Sequence, residues 1–355
     1  MTTSAPVWIL ADDLTGAADS ALPFWRAGRR ATIVVNSQVR WPDHQGVVSI
    51  CTHTRAMSET AARDVLTTLA PRLPRTGLIF KKIDSTLRGW IGAECRPLLA
   101  TFPDHPAYLA PAYPSKGRIL GADGIYRVYG MPLAQTEFAP ETVGLPADST
   151  LGGFIAHHFG PDASRIHLLP AETNEGFRAA VAAQPGPALW IGSPGLAIAL
   201  AGAGSVPPPA STPPIRLSPA RIVVAVGSRR TLTRQQTEAL ESALPEATMH
   251  GGALLRAPAG AYDPARANAI ADDLGERTAA AARKLGACGL ILTGGDIAAA
   301  TFRQLGVETA EIIGEVEDGL PVLQAGPHLI VTKAGGFGDE GSLIRAYQCL
   351  EKLLE

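Results

Sequence analysis

The sequence predicts an α/β protein of two domains, each built on a mostly parallel sheet flanked by helices. Short apolar runs rich in β-branched residues alternate with segments of helical periodicity, as expected of strand–helix units. A segment with six prolines, residues 204–219, interrupts this alternation, which then resumes. We therefore predict domains at residues 1–203 and 220–355, joined by a proline-rich linker. A surface loop inside one domain is the alternative interpretation of that segment.

The predicted first domain contains six short apolar strands, each bounded by polar residues, glycine or proline. They cover residues 7–10, 31–35, 47–50, 78–80, 165–168 and 188–191. Helical spacing occurs between several of them, for example over residues 58–69 and 174–183. Residues 118–130 carry Asp123-Gly124 between apolar flanks and predict a β-hairpin.

The predicted second domain repeats the same alternation of strands and helices. Its strands are residues 221–226, 289–292 and 329–332, and its helices are residues 231–243, 264–285, 297–305 and 340–353. Alternation of this kind indicates a parallel sheet covered by helices on both faces.

The composition indicates a folded protein and excludes several classes. Hydrophobic residues make up 46% and charged residues 18% of the 355 positions, unlike a disordered chain. A net charge of −2 without a Lys/Arg block favours neither nucleic acid nor membrane as a partner. No apolar run approaches the roughly 20 residues of a membrane-spanning helix. The N-terminus does not have the pattern of a signal peptide, and the four cysteines have no C-x-x-C pairing, so we expect reduced thiols and a cytoplasmic location.

Two adjacent carboxylates, Asp12 and Asp13, follow the first predicted strand directly. Ligands of open α/β sheets bind outside the carboxyl ends of the strands, which makes this position a candidate site. The pair could accept hydrogen bonds from ligand hydroxyls, hold a metal through water, or take a proton. The structural alternative is a helix N-cap, which needs only one acid.

A second polar cluster follows the strand at residues 78–80 and includes Lys82, Asp84, Ser85 and Arg88. Cations at a strand end suit a carboxylate or phosphate ligand, and arginine can bind either one in a bidentate manner. Asp84 could stay ionised and accept a hydroxyl proton. A solvated turn with local ion pairs is the alternative.

Further cations follow other strands, among them Arg55 after residues 47–50 and the group at residues 113–118. Each is open between a ligand contact and a surface position. Residues 192–195, Gly-Ser-Pro-Gly, are predicted to be a structural strand-to-helix turn.

Glycine-rich turns follow all three predicted strands of the second domain. They are Gly227-Ser228, Thr293-Gly294-Gly295-Asp296 and Lys333-Ala334-Gly335-Gly336-Phe337-Gly338. Glycine lets backbone amides approach a phosphate, and a helix N-terminus adds about half a positive charge. Three such turns predict a nucleotide polyphosphate site, although neither a Walker pattern nor a convincing G-x-G-x-x-G is present.

A domain with cations, hydroxyls and carboxylates, facing a phosphate-binding domain across a cleft, would form the active site of a small-molecule kinase. Two other functions stay open on the residues. One is a non-catalytic regulator that binds a sugar acid or nucleotide, and the other is a nucleotide-dependent dehydrogenase or isomerase of sugar acids. A homo-oligomer is compatible with the sequence, but the sequence does not indicate the number of subunits.

Several segments resemble the four-carbon acid sugar kinase family, which includes 3-oxo-tetronate, threonate and erythronate kinases. They are ADDLTGAAD, KKIDSTLRGWIGAE, APAYPSKGRI, DGIYRVYG, LTGGDIAAA and KAGGFGDE, in the order of the family. The resemblance implies a sugar-acid-binding N-terminal domain and an ATP-binding C-terminal domain. It also implies phosphorylation of the terminal hydroxyl of a four-carbon acid. For such a transfer we expect Mg²⁺ to bridge the β- and γ-phosphates.

The resemblance also implies roles for individual residues. It places the sugar acid at Asp12, Asp13, Lys82, Asp84, Arg88 and Arg55. Within this set we assign substrate binding to Asp12, Arg55, Arg88 and the nearby Ser85, and catalysis to Asp84, Asp13 and Lys82. Which of the three aspartates acts as the base is left open. Nucleotide binding falls on Ser228, Gly294, Gly295, Asp296, Gly335 and Gly338, with Asp296 also the candidate Mg²⁺ ligand.

Overall fold

The computed structural model describes residues 5–43, 45–184, 186–202, 221–228, 230–243, 253–258, 264–286 and 288–355. The chain forms two compact units, one of Met1–Ala31 with Arg40–Pro208 and one of Thr32–Val39 with Pro209–Glu355. The predicted linker, residues 204–219, lies outside the described residues. The sequence pattern assigns residues 32–39 to the first domain, whereas they pack with the C-terminal unit.

The N-terminal unit contains a parallel sheet whose strand order is β3-β1-β4-β10-β5-β9, which confirms the predicted fold class. Its strands are β1 (Val7–Ala11), β3 (Val47–Cys51), β4 (Leu78–Lys82), β5 (Ala107–Ala110), β6 (Arg118–Leu120), β7 (Tyr126–Val128), β8 (Met131–Pro132), β9 (Ile166–Leu168) and β10 (Leu189–Gly192). Its helices are α1 (Leu14–Arg26), α2 (Glu59–Leu69), α3 (Ile91–Thr101), α4 (Leu151–Phe159), α5 (Asn174–Ala182) and α6 (Pro194–Ala201).

The register of this sheet brings three strand ends together. Every residue of β1 is buried, and Ala11 at its carboxyl end lies between Cys51 of β3 and Lys82 of β4. Strands buried on both faces are short apolar runs without alternation, the pattern found in the sequence. The loops after β1, β3 and β4 therefore leave the sheet at one edge.

Strands β6, β7 and β8 form a separate antiparallel sheet that includes the predicted hairpin at residues 118–130. The hydroxyl of Tyr126, on β7, lies 2.8 Å from the carbonyl oxygen of Ser85 and 2.9 Å from that of Pro111. The small sheet is therefore anchored on the loop that follows β4.

The C-terminal unit combines parallel and antiparallel pairing. Strands β12-β11-β13-β16 are parallel, and β16-β15-β14-β2 are antiparallel, an addition that the sequence pattern does not indicate. The strands are β2 (Ala31–Val34), β11 (Ile222–Val226), β12 (Ala253–Arg256), β13 (Gly289–Thr293), β14 (Thr309–Glu317), β15 (Leu320–Ala325) and β16 (His328–Lys333). The helices are α7 (Thr231–Ala243), α8 (Pro264–Leu285), α9 (Gly295–Leu305) and α10 (Ser342–Leu354).

Strand β2 joins this unit through β14, since residues 32–34 pair with residues 309–311. The hydroxyl of Thr32 also donates to the carboxylate of Glu311 at 2.6 Å. Antiparallel backbone pairing and a charge-assisted hydrogen bond together explain why a segment from the N-terminal part of the chain belongs to the C-terminal unit.

The core of the C-terminal unit lies between α10 and the parallel strands. Leu343, Ala346, Leu350 and Leu354 form one buried stripe on α10 against Val224, Ile291 and Val331 of the sheet. Repeats of three or four residues place these side chains on one helix face, which fixes the helix on the sheet. Among the helices described, none is both long enough and apolar enough to cross a membrane.

Candidate active site

The polar residues predicted at the ends of β1, β3 and β4 meet in one cluster. Asp12 and Asp13 follow β1, Arg55 lies four residues beyond β3, and Lys82 and Asp84 lie at and just after the end of β4. The shared register of the three strands accounts for this meeting. We call these five residues, with Ser85 and Arg88, the acid-binding cluster.

Arg55 joins the two carboxylates after β1. Its Nε and Nη2 donate to Asp12 at 2.8 Å each, and its Nη1 and Nη2 donate to Asp13 at 2.7 and 2.9 Å. The same Nη2 lies 3.7 Å from the carboxylate of Asp84. A planar guanidinium suits bidentate pairing with carboxylates, so Arg55 holds the side chains of both aspartates in place.

Asp13 is also the N-cap of α1. Its Oδ1 accepts from the backbone N–H of Gly16 at 2.9 Å, and its Oδ2 accepts from the hydroxyl of Thr15 at 2.7 Å. Burial alone would raise the pKa of Asp13, but the charges of Arg55 and Lys82 bring it down to about 2. The helix-cap interpretation therefore holds for Asp13, whereas Asp12 is the additional acid that capping does not require.

Asp84 is held in its ionised form by the loop that follows it. Its Oδ2 accepts from the N–H of Thr86 at 3.0 Å and from Nε of Arg88 at 2.9 Å, and its Oδ1 accepts from Nη2 of Arg88 at 2.8 Å. Burial opposes ionisation, but the charges of Arg88 and Arg55 keep the pKa of Asp84 well below its usual value. Arg88 in turn donates to the carboxylate of Glu141 at 3.1 Å.

The ammonium of Lys82 differs from the two guanidinium groups. Its side chain is only 4% exposed, and its closest carboxylate oxygen in the described part of the chain, Oδ1 of Asp13, is 3.9 Å away. Within the described residues its three donors make no hydrogen bond, although a buried cation is costly without one. Lys82 is therefore the cation of the cluster whose donors are available to an anionic ligand.

Lys81, in contrast, has a structural role. Its side chain is fully buried, and its ammonium lies 2.6 Å from the carboxylate of Glu94 on α3 and donates to the carbonyl of Lys82 at 2.9 Å. Successive residues of a strand point to opposite faces, so only one of the two lysines can face the cluster. Adjacent lysines in sequence thus have different functions in the fold.

Two loops of the cluster contain non-glycine residues in the left-handed region. His53 has φ 56° and precedes Arg55 by two residues, while Leu87 has φ 61° and directly precedes Arg88. Such conformations cost about 1–3 kcal/mol each and occur where the surroundings enforce them, often at functional sites. No sequence signal marks either position, because neither residue is glycine or asparagine.

Ser85 lies buried in the loop after β4, and its carbonyl oxygen accepts a hydrogen bond from the hydroxyl of Tyr126.

The turn at residues 192–195 is structural, as predicted. The hydroxyl of Ser193 caps α6 by accepting from the N–H of Gly195 at 3.1 Å, and it donates to the carbonyl of Ala112 at 2.7 Å.

The glycine turns of the C-terminal unit meet at the carboxyl ends of β11, β13 and β16. A Cβ added at Gly335 would overlap the hydroxyl of Ser228, and one added at Gly294 would lie 3.6 Å from the Ser228 nitrogen. The hydroxyl of Thr233 lies 3.0 Å from that of Ser228 and 2.9 Å from the carbonyl of Gly335. Gly294 has φ 94°, a conformation that favours glycine.

The remaining residues predicted for nucleotide binding surround these turns. Gly295 begins α9, and Asp296 is exposed in its first turn. Gly338 has φ 86°, and a Cβ there would overlap the hydroxyl of Ser342 at the start of α10. We call Ser228, Gly294, Gly295, Asp296, Gly335 and Gly338 the glycine cluster.

A buried lysine lies beneath the glycine cluster. Lys333 ends β16, is fully buried and donates to the carbonyl of Ala334 at 3.0 Å. Burial lowers the pKa of its ammonium to about 8, against the opposing charge of Glu317. Its position beside Ala334 and the Gly335 turn makes it a structural support for that turn.

Comparisons with known proteins identify relatives along nearly the whole chain. A family model described as a sugar-binding N-terminal domain matches residues 7–184, and one described as a nucleotide-binding C-terminal domain matches residues 253–343. The chain is 29% identical to a D-threonate kinase of Bordetella bronchiseptica, over 98% of each chain. It is 30% identical to a D-threonate kinase of Cupriavidus necator, over 96% of this chain and 97% of that one. The chain belongs to the four-carbon acid sugar kinase family.

Membership of this family makes the chain a phosphotransferase and favours an enzyme over a non-catalytic regulator or a dehydrogenase. The solved structure of Haemophilus influenzae protein HI1011, of the DUF1537 family, has the same fold. It superposes with a TM-score of 0.68 at 19% identity and covers 97% of this chain and all of the other.

Proposed function

We propose that this family member is an ATP-dependent kinase that phosphorylates the terminal hydroxyl of a four-carbon sugar acid, such as threonate, erythronate or 3-oxo-tetronate. Near-full-length similarity to D-threonate kinases supports the substrate class. The observation that carries the proposal is Lys82, whose side chain is only 4% exposed and whose ammonium makes no hydrogen bond among the described residues. A small hydroxylated anion can accept hydrogen bonds from such a cation, and no macromolecular partner is needed to do so.

In this proposal residues 1–203 bind the sugar acid through the acid-binding cluster. Lys82 neutralises the substrate anion or the charge of the phosphoryl group in transfer. Asp12, Asp13 and Asp84 accept hydrogen bonds from hydroxyls, and Ser85 adds a hydroxyl of its own. Arg55 and Arg88 hold the carboxylates in place, because their guanidinium groups are already paired with them.

Asp84 is proposed to orient the hydroxyl that attacks phosphorus. A carboxylate whose pKa lies well below its usual value is a weak base, but it stays ionised at neutral pH and accepts a hydrogen bond. Phosphoryl transfer depends mainly on alignment and charge stabilisation, so a strong base is not required.

Residues 220–355 bind the nucleotide in this proposal, through the backbone N–H groups of the glycine cluster. A Cβ at Gly335 or Gly338 would overlap a neighbouring serine hydroxyl, so both turns require glycine. Backbone N–H groups at glycine turns and helix N-termini can approach a polyphosphate closely. ATP supplies the phosphoryl group, and Mg²⁺ offsets charge on its phosphates. The exposed carboxylate of Asp296 suits Mg²⁺, which is commonly held by one or two carboxylates together with phosphate oxygens. The described residues contain no cluster of three metal-ligating side chains, so phosphates would provide most of the ligands.

A cytoplasmic location is part of the proposal. Cys51, Cys95 and Cys288 are buried free thiols, and Cys349 is a partly buried one, as in proteins of reducing compartments.

An ADP-release assay with threonate, erythronate and oxo-tetronate isomers tests the proposal. We expect turnover with at least one acid, dependence on Mg²⁺, and a phosphate monoester at the terminal carbon by ³¹P NMR. Release of ADP without a phosphorylated acid, or no turnover with any tetronate, would contradict it.

A further inference from the structure

Helix α1 lies against the end of Lys82 at a glycine. A Cβ added at Gly16 would overlap the ammonium nitrogen of Lys82 and would lie 3.2 Å from its Cε. The ammonium thus occupies the space that any other side chain at position 16 would fill. Gly16 lies in the first turn of α1, where its N–H is capped by Asp13.

Two carboxylates flank this glycine on the helix. Asp13 and Asp19 each lie three residues from Gly16, so the three positions follow one another along one face of α1. Asp13 is 3.9 Å from the Lys82 ammonium. Asp19 is nine-tenths buried and forms no ion pair with Lys82 within 4.0 Å in the described structure, but the charge of Lys82 is the strongest influence favouring its ionised form.

Asp19 makes few contacts that stabilise the fold. In the described structure its carboxylate accepts one hydrogen bond, from the hydroxyl of the adjacent Ser20 at 3.2 Å, and it caps no helix. Burial raises its pKa to about 7, against the charges of Lys82 and Arg55. A buried carboxylate that is costly to ionise lowers stability at neutral pH, and natural proteins retain such groups mainly where function needs them.

We propose that Gly16 and Asp19 are positioning residues that hold the Lys82 ammonium on the face of α1, so that its donors point to the bound anion. The inference rests on the proposed function, in which Lys82 contacts the substrate or the transferred phosphoryl group. Gly16 provides the space and Asp19 the second negative charge, while Asp13 is already shared with Arg55.

The charged groups that influence Asp19 define the expected pH dependence. They are Lys82 of β4, Arg55 after β3, and Asp13 at the start of α1. Lys82 and Arg55 favour the ionised carboxylate, and Asp13 opposes it. Because the pKa of Asp19 is about 7, the ionised fraction of its carboxylate rises as the pH passes through 7, and its attraction for the Lys82 ammonium becomes stronger.

The kinetic test compares Asp19→Asn and Gly16→Ala with the wild-type enzyme. We expect each variant to lose at least about tenfold in kcat/KM for the sugar acid, about 1.4 kcal/mol, because the Lys82 ammonium no longer meets the bound anion in the right place. The wild-type kcat/KM should rise between pH 6 and 8, and this limb should be absent in Asp19→Asn. Gly152→Ala is the matched control, because Gly152 lies in the first turn of α4 with open space at its Cβ position.

The coupling between Asp19 and Lys82 is measured without substrate by thermal unfolding at pH 8. Asp19→Asn should raise Tm in the wild-type background and raise it further in Lys82→Met, where the carboxylate has lost its cation. Equal increments in the two backgrounds, or kcat/KM of Asp19→Asn within twofold of wild type, would overturn the inference. If the wild type phosphorylates no tetronate, the proposed function fails, while the unfolding cycle still decides whether the charges of Asp19 and Lys82 are coupled.

Discussion

The two clusters differ in the chemical groups that form them, which are charged side chains in one and backbone turns in the other. The acid-binding cluster consists mainly of buried or half-buried charged side chains, with three aspartates, two arginines and a lysine within reach of one another. The glycine cluster consists mainly of backbone turns, whose side-chain contacts are made by neutral hydroxyls such as those of Ser228 and Thr233.

This difference follows from the chemistry of the ligands that we propose. A small sugar acid carries one charge and several hydroxyls, and recognising it needs donors and acceptors at defined positions. A polyphosphate carries many equivalent oxygens, which backbone N–H groups and helix N-termini bind without charged side chains. Substitutions in the first cluster should therefore act through charge, and those in the second through volume.

The largest expected effect is that of Lys82→Met, which removes the available cation and keeps most of the side-chain volume. We expect kcat/KM for the sugar acid to fall by at least about 100-fold, near 2.7 kcal/mol, because the anion loses its charge-assisted hydrogen bonds. KM for ATP should change little. Steady-state kinetics with Lys352→Met, an exposed lysine of α10, provide the control. A similar loss in both variants would show that the acid-binding cluster does not depend on this charge.

The sequence allowed the location of the acid-binding cluster to be predicted, because strand ends are visible as transitions from apolar to polar residues. Asp12, Asp13, Lys82 and Asp84 each lie at or just after such a transition, and parallel pairing brings those ends together. The partners within the cluster could not be predicted. Arg55 binds two aspartates and approaches a third, and that geometry depends on the loop after β3, where His53 adopts a left-handed conformation.

The antiparallel part of the C-terminal sheet was missed although one signal for it exists. Asp318-Gly319 connects β14 to β15, with Glu317 opposite Leu320, and Asp-Gly between apolar runs is typical of a two-residue hairpin. The placement of β2 had no such signal. Its apolar residues suit a buried strand in either unit, and only pairing with β14 decides between them.

The second prediction concerns Asp84→Asn, which tests whether charge in the acid-binding cluster acts on catalysis as well as on folding. We expect kcat to fall at least about tenfold, or 1.4 kcal/mol, because the neutral amide orients the attacking hydroxyl less strongly. The free energy of unfolding should fall by about 2 kcal/mol, since Arg88 and Arg55 lose a partly buried anion.

The change of this stability difference with pH follows from the lowered pKa of Asp84. The pKa of Asp84 is lowered in the folded state, so its contribution is fully present above the unfolded value and is lost as the pH falls through the folded pKa. The difference between wild type and Asp84→Asn in urea titrations should therefore persist at pH 7 and shrink below about pH 4. Asp64→Asn, at an exposed position of α2, should be neutral throughout. An unchanged kcat would remove Asp84 from the reaction.

The third prediction tests volume in the glycine cluster through Gly335→Ala. The added methyl would overlap the hydroxyl of Ser228 and displace the turn from the phosphates. We expect KM for ATP to rise about fivefold, near 1 kcal/mol, with KM for the sugar acid unchanged. Gly336→Ala is a matched control, because the neighbouring glycine has open space at its Cβ position. Equal effects of the two variants would indicate that backbone flexibility, and not the space at Ser228, limits nucleotide binding.

The smallest expected effect is that of Arg88→Ala, at the edge of the acid-binding cluster. The Arg88 side chain is 31% exposed and already paired with Asp84 and Glu141, so its removal disturbs the position of Asp84 without removing a buried cation. We expect KM for the sugar acid to rise about threefold, since a partly exposed ion pair contributes about 1 kcal/mol or less. Arg63→Ala, an exposed arginine on α2, is the control for loss of a surface charge. If KM for the acid stayed constant while affinity for ATP fell, the roles assigned to the two clusters would have to be exchanged.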